Sequence, residues 1–261
     1  MSQSPLATYT HYSPNCTKPR QGTIKGVAIH CTAGGRNLPA KSFADMARFA
    51  QRDPKNGASC HYVVGGDGSI AQVCKEENRA WCTSNPIDHY LITIEVASDA
   101  ESPCKVNMQA ILSLKKLLVD ICQRNGIKKL LWKGDKSLMG QWDKQNMVVH
   151  RWTANKSCPG DYLYNMHGNI AALVNEQLSQ EGDNETMNIN DLFEQLTPEM
   201  CYDIMSEALV VAARQDEPSW SKKEGAWQKA VKKGVFNGEA PEGYVKRDEL
   251  AAVLGRLGVL D

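Results

Sequence analysis

Three residues of this chain have the chemistry of metal ligands and sit where structural elements should end. His150 and Cys158 lie eight positions apart in the stretch HRWTANKSCPGDYL, and His30 closes the run VAIH. Two imidazoles and one thiolate are a donor set that suits zinc, and three protein ligands leave a fourth tetrahedral position for water. Each residue also has a bland reading, because a histidine at a strand end is more often polar padding than a ligand. Spacing alone leaves both readings standing. Lys156 is a cation two residues before Cys158, or simply a solvated loop lysine. Pro159 biases Cys158 toward extended backbone, which would help to aim its sulfur.

The elements that must position these residues are legible as hydrophobic patterns. IKGVAIHC (24–31) is β-branched and then broken by TAGG, so it reads as a strand ending at His30. Residues 39–53 carry Phe43, Met46, Ala47 and Ala50 at helical spacing behind Pro39, so they read as one helix. CHYVVGGDGSIAQVC is a hairpin around a Gly-Asp-Gly turn. HYLITIEVA (89–97) is a continuous apolar run, as expected of a central strand, with Glu95 its lone acid. Residues 107–126 repeat apolar positions at three and four and stop at Gly126, the clearest helix of the chain. NMVVHRW is a short strand ending at His150, and a last helix follows Pro159. Strands alternating with helices predict an α/β domain, a central mixed β-sheet flanked by helices, over residues 1–178. The first 21 residues, rich in Ser, Thr, Pro and Tyr, read as an extended arm.

Residues 179–190 are polar and acidic and read as a linker. Residues 191–261 then give a second, small, mainly helical C-terminal domain. Its Trp220, Trp227, Phe236 and Tyr244 are either a sugar-stacking platform or the small domain's own core. Part of it resembles a shortened S-layer-homology unit, which implies wall binding. The apolar face of EMCYDIMSEALVVAA suggests instead a helical module that pairs two copies into a homodimer.

Composition bounds the rest. The 261 residues are 42% hydrophobic and 23% charged, ordinary for a globular protein with a real core. Net charge is zero, yet residues 1–175 hold 21 Lys and Arg against 13 Asp and Glu, while residues 176–261 hold 9 against 17. A basic front part suits an anionic polymer, either a nucleic acid or an acidic bacterial wall. Nine cysteines without regular spacing do not form a disulfide framework and suit synthesis in a reducing compartment. No charged-then-apolar leader and no run of about 18 apolar residues is present, so neither a signal peptide nor a membrane span is expected.

The blocks VAIHCTAG, ASCHYVVGGDGSIAQV, NRAW, ITIEVA and HRWTANKSCPG, in that order, resemble those of zinc-dependent N-acetylmuramoyl-L-alanine amidases. This type-2 amidase family shares its fold with peptidoglycan-recognition proteins and phage lysozyme-amidases, and the resemblance spans about residues 20–178. It implies one catalytic zinc ion on His30, His150 and Cys158. It implies hydrolysis of the amide between the lactyl group of N-acetylmuramic acid and L-alanine. Glu95 matches the family's acidic position, where it would move protons, and Lys156 would face the oxyanion. His61 would orient a neighbouring strand or contact substrate, unless it is a core histidine. Trp81 would stack on sugar or peptide, unless it caps the core. The chain departs from many relatives at Cys60, where they carry a tyrosine, and at Cys82, where they carry a histidine. Cys60 and Cys82, with Cys31, Cys74, Cys104 and Cys122, are expected to act as small buried hydrophobes. The resemblance implies a phage or prophage endolysin made without a leader in the cytoplasm and acting on the peptidoglycan of a Gram-positive wall. Nucleic acid and membrane are then not partners. A host autolysin, a non-catalytic recognition module and a thiol peptidase are the competing readings.

Overall fold

The computed structural model describes residues 3–180. The expectations for the linker beyond residue 180 and for the C-terminal domain fall outside the described residues. The elements are β1 (Tyr9–Thr10), β2 (Cys16–Thr17), β3 (Gly26–Cys31), α1 (Ala40–Ala44), α2 (Ala47–Ala50), β4 (Tyr62–Val64), β5 (Ile70–Gln72), β6 (Arg79–Ala80), β7 (Leu91–Val96), α3 (Met108–Asn125), β8 (Met147–Val148) and α4 (Gly160–Gln180). Six strands form one mixed sheet in the order β1-β5-β4-β7-β3-β8, and β2 pairs with β6 separately. Only the β4–β5 hairpin is antiparallel within the large sheet.

The expected hairpin, central strand and long helix are all present. β7 is buried along its whole length, as a strand flanked by β4 and β3 must be. α3 ends at Gly126, which adopts φ +68° and caps the helix in the left-handed conformation that glycine tolerates. One expectation needs correction: residues 39–53 are not one helix. Met46 takes extended backbone between α1 and α2, so Phe43 and Phe49 enter the same core cluster from two short helices. The N-terminal arm is also less free than its composition suggests. β1 runs parallel to β5 and covers its edge, and the buried Asn15 side chain bonds the carbonyls of Arg48 and Gln51.

Strand alternation sorts the sheet into two faces. Val27, Ile29 and Cys31 of β3, Ile92, Ile94 and Val96 of β7, and Tyr62 and Val64 of β4 join the core formed with α3 and α4. The alternate residues, including Ala28, His30, Thr93, Glu95 and Val63, face the other way. Register makes rows of them: His30 lies opposite Glu95, and Glu95 opposite Val63. The eight described cysteines are all free thiols. No helix among the described residues is long and apolar enough to cross a membrane.

Two buried histidines outside this row make the fold acid-sensitive. His61 and His167 are fully buried, and burial is the main cause that lowers their pKa from 6.5 to about 3 and about 4. Below pH 6.5 the unfolded chain takes up both protons while the folded chain does not. Their contribution to stability is therefore lost as pH falls from about 6.5 toward 4, at about 3 kcal/mol per pH unit for two protons. Urea unfolding at neutral and mildly acidic pH should show this loss, and His167→Gln should remove about 1.4 kcal/mol per pH unit from the slope. A stability independent of pH over that window would show that the two imidazoles are not held neutral.

Candidate active site

The pairing of β3 with β7 carries His30 and Glu95 to one edge of the sheet, where parallel strands end together. β8 joins the other side of β3, with Ala28 opposite Val148, so His150 follows at the level of His30. His150 opens a single 3-10 turn, and the amides of Thr153 and Ala154 both bond its carbonyl. The chain then doubles back: the Arg151 amide donates to the Cys158 carbonyl at 3.0 Å, and the Arg151 guanidinium donates to the Ser157 carbonyl at 2.6 Å. That closed loop returns Cys158 to the histidines.

The three candidate ligands meet. One donor atom from each of His30, His150 and Cys158 lies within 4.8 Å of the others. The Cys158 sulfur is 3.4 Å from His30 Nδ1, and the two imidazole centroids are 5.1 Å apart. Buried polar atoms are ordinarily hydrogen-bonded. Here the Nε2 atoms of His30 and His150 and Oε2 of Glu95 are buried with no hydrogen-bond partner. Such a concentration of unsatisfied nitrogen and oxygen beside a thiol fits a metal ion. Electrostatics agrees. Burial, and then the neighbouring His150, holds His30 down to about 3, and burial followed by Lys156 lowers His150. Both rings are therefore neutral at pH 7, the form that ligates. The Cys158 thiol is pushed well up, first by its hydrogen bond to Cys31 and then by burial, so ligation requires loss of its proton.

Glu95 is 8% exposed, and burial raises its pKa to about 8. Arg48 on α2 acts against that shift. Lys156 is exposed in the return loop, and its charge is felt at His150. His61 does not join this group. It is fully buried; Nδ1 meets Thr93 Oγ1 at 2.9 Å, and Nε2 lies 2.7 Å from the Arg20 guanidinium and 3.1 Å from the Asn78 carbonyl. Both ring nitrogens are occupied, which corrects the substrate-contact expectation and leaves strand orientation. Trp81 is half-buried: its Nε1 donates to Thr17 Oγ1, and Arg52 stacks 4.8 Å above its ring. That arrangement ties the ring to β2. Cys82, expected to be a small buried hydrophobe, is brought to the site: one donor atom each of His30, Cys82 and Glu95 lies within 4.8 Å of the others. No spacing signal could have paired Cys82 with residues so far along the chain.

A cation at this cluster should stabilise the fold by mass action, about 2.7 kcal/mol at a hundredfold excess over Kd. Zinc added to chelator-stripped protein should raise Tm, and His150→Ala and Cys158→Ser should each lessen the rise. A wild-type Tm indifferent to the ion would remove the metal reading.

Residues 20–161, more than half of the chain, match the family described as N-acetylmuramoyl-L-alanine amidase. No curated protein sequence matches significantly. Among solved structures, a mutant endolysin from Bacillus subtilis is 18% identical, covering 64% of this chain and 97% of its own, at TM-score 0.45. A selenomethionine derivative of AmpD is 17% identical, covering 67% and 96%, at TM-score 0.47. The endolysin N-acetylmuramoyl-L-alanine amidase LysCS from Clostridium intestinale is 15% identical, covering 62% and 91%, at TM-score 0.40. On the strength of the family match, this chain belongs to the N-acetylmuramoyl-L-alanine amidases and is an enzyme of that type.

Proposed function

We propose that the chain is a zinc-dependent peptidoglycan amidase of the endolysin kind, acting on a Gram-positive wall during release of a phage. The observation that carries the zinc reading is the convergence of His30, His150 and Cys158 within 4.8 Å, with buried ring nitrogens left unpaired. The basic balance of residues 1–175 supports an anionic wall as the surface approached.

Zinc held by the three ligands would polarise the scissile carbonyl and bring the pKa of a water from 15.7 down to about 7. The remaining work falls to the chain. Glu95, on the same row as His30, takes a proton from the attacking water and returns it to the departing alanine nitrogen. The carbon–nitrogen bond breaks as a carbon–oxygen bond forms, leaving a lactyl carboxylate and a free amine. Lys156 approaches from the return loop and faces the negative oxygen that develops at the carbonyl. The base must be ionised, and burial favours the neutral form of Glu95. Activity therefore rises with pH along an acid limb lying below about 8, and the zinc charge pulls that limb lower.

The test is product analysis on purified walls with protein as isolated, after chelation and after zinc is restored. The expected products are new alanine amino termini without new reducing sugar ends, lost on chelation and recovered with zinc. Glu95→Gln should cost about 10²–10⁴ in kcat, and Lys156→Ala about 10²–10³, each with little change in wall binding. Wall binding without cleavage in any metal state would leave a recognition protein and overturn the enzymatic reading. Cleavage that survives chelation and dies with thiol alkylation would transfer the chemistry to a cysteine.

A further inference from the structure

Cys82 occupies a place that the reaction does not use. It follows β6 in a turn pinned from below: the buried Asp88 carboxylate accepts from the amides of Cys82 and Thr83. The backbone that carries its side chain is thus held independently of any ion. From there it lies within 4.8 Å of a donor atom of Glu95 and of His30. Glu95 Oε2 and His30 Nε2 are buried and without hydrogen-bond partners, and burial pushes the Cys82 thiol well up. A thiol, a carboxylate oxygen and an imidazole nitrogen gathered in this way are a second donor set for a thiophilic divalent cation.

We infer that Cys82 and Glu95, with His30 at the edge shared with the first set, form a second and inhibitory metal site. On binding zinc or cadmium, Cys82 gives up its thiol proton to solvent and its sulfur joins the ion. One oxygen of Glu95 joins the same ion, and water completes the shell. His30 adds its nitrogen only when the first site is empty. A carboxylate engaged in this way no longer accepts a proton from water, so occupation of the second site stops hydrolysis while the first stays filled. The inhibitory half of this inference rests on the assignment of Glu95 as the base; the binding half does not.

The experiment is a cadmium titration of the full-length, reduced, chelator-stripped protein, read by thiolate-to-cadmium absorption. Wild type should take up one more thiolate-bound equivalent than Cys82→Ser, and Glu95→Gln should weaken that same equivalent. Cys158→Ser should lose a different one, which also shows that the Cys82→Ser protein is folded when it keeps it. In the wall assay, zinc beyond the first equivalent should inhibit wild type about tenfold at ten times the second site's Kd. Cys82→Ala should escape that inhibition. Equal cadmium uptake by wild type and Cys82→Ser would overturn the site, and equal inhibition of wild type and Cys82→Ala would overturn its effect. An enzyme inactive at one equivalent of zinc would count against the zinc amidase reading alone, because the cadmium comparison still decides the second site.

Discussion

The parallel ladder between β3 and β7 sets His30 directly opposite Glu95 at the edge where both strands end. Every other part of the site is placed with reference to that pair. β8 joins the free side of β3 and delivers His150 alongside, and the loop after it brings Cys158 within 3.4 Å of His30. Because side chains alternate along a strand, a slip of one residue would turn His30 and Glu95 into the α3–α4 core and Ile29 and Ile94 out of it. The buried apolar row on one face therefore enforces the chemistry on the other. Ile29, Ile94 and Tyr62 are each at most 1% exposed, so the register is held by side chains that never approach the reaction.

That arrangement is costly without an ion. Burying a carboxyl and two imidazoles with unpaired polar atoms opposes folding, and the protein responds by keeping them neutral. His30 is held down to about 3 and Glu95 up to about 8, each mainly by burial. Elsewhere two buried polar groups are well paired. Glu76 takes both guanidinium nitrogens of Arg124 at 2.7 and 2.8 Å and the Tyr62 hydroxyl at 2.5 Å, and that hydroxyl in turn accepts the Ser4 amide. His61 likewise has both nitrogens engaged. The contrast is informative, because a fold that pairs Glu76 and His61 so thoroughly leaves His30, His150 and Glu95 open at a single spot. Arg79, Arg151 and His167 each also leave one buried nitrogen unpaired, but only at the His30 cluster do unpaired imidazole and carboxyl atoms gather beside a thiol.

Much of this was legible in the chain. Long apolar runs such as LITIEV and the periodic α3 announced themselves, and the break after β3 marked a strand end carrying the candidate ligand His30, whereas the strand expected to end at His150 stops at Val148 and His150 opens a 3-10 turn. The failures share one physical cause: they depend on contacts between segments distant in sequence. Met46 has a helical neighbourhood, yet Phe43 and Phe49 reach one core only if the helix breaks between them. The Ser- and Pro-rich arm shows no pattern, yet β1 has an open edge of β5 to cover. His61 carries a motif that invites a contact with substrate, but Arg20, forty-one residues away, takes its nitrogen. Propensity and periodicity see only the local chain, and each of these outcomes is decided by what packs opposite.

Cys82 shows the same limit with a functional consequence. Its placement is the work of Asp88, fully buried and bonded to the amides of residues 82 and 83, and of Asn85, whose side chain accepts from Ile87 and caps the turn. These residues fix the backbone whatever side chain stands at position 82. A histidine at such a point offers a nitrogen that can share a proton with a carboxylate. A cysteine offers a sulfur that holds soft cations far more tightly. Two thiols, Cys158 and Cys82, thus border one histidine, His30, and only the first belongs to a donor set that does not include Glu95. On the proposed reading, productive metal binding turns on which set fills first, and the His30–His150–Cys158 set brings two neutral imidazoles against one.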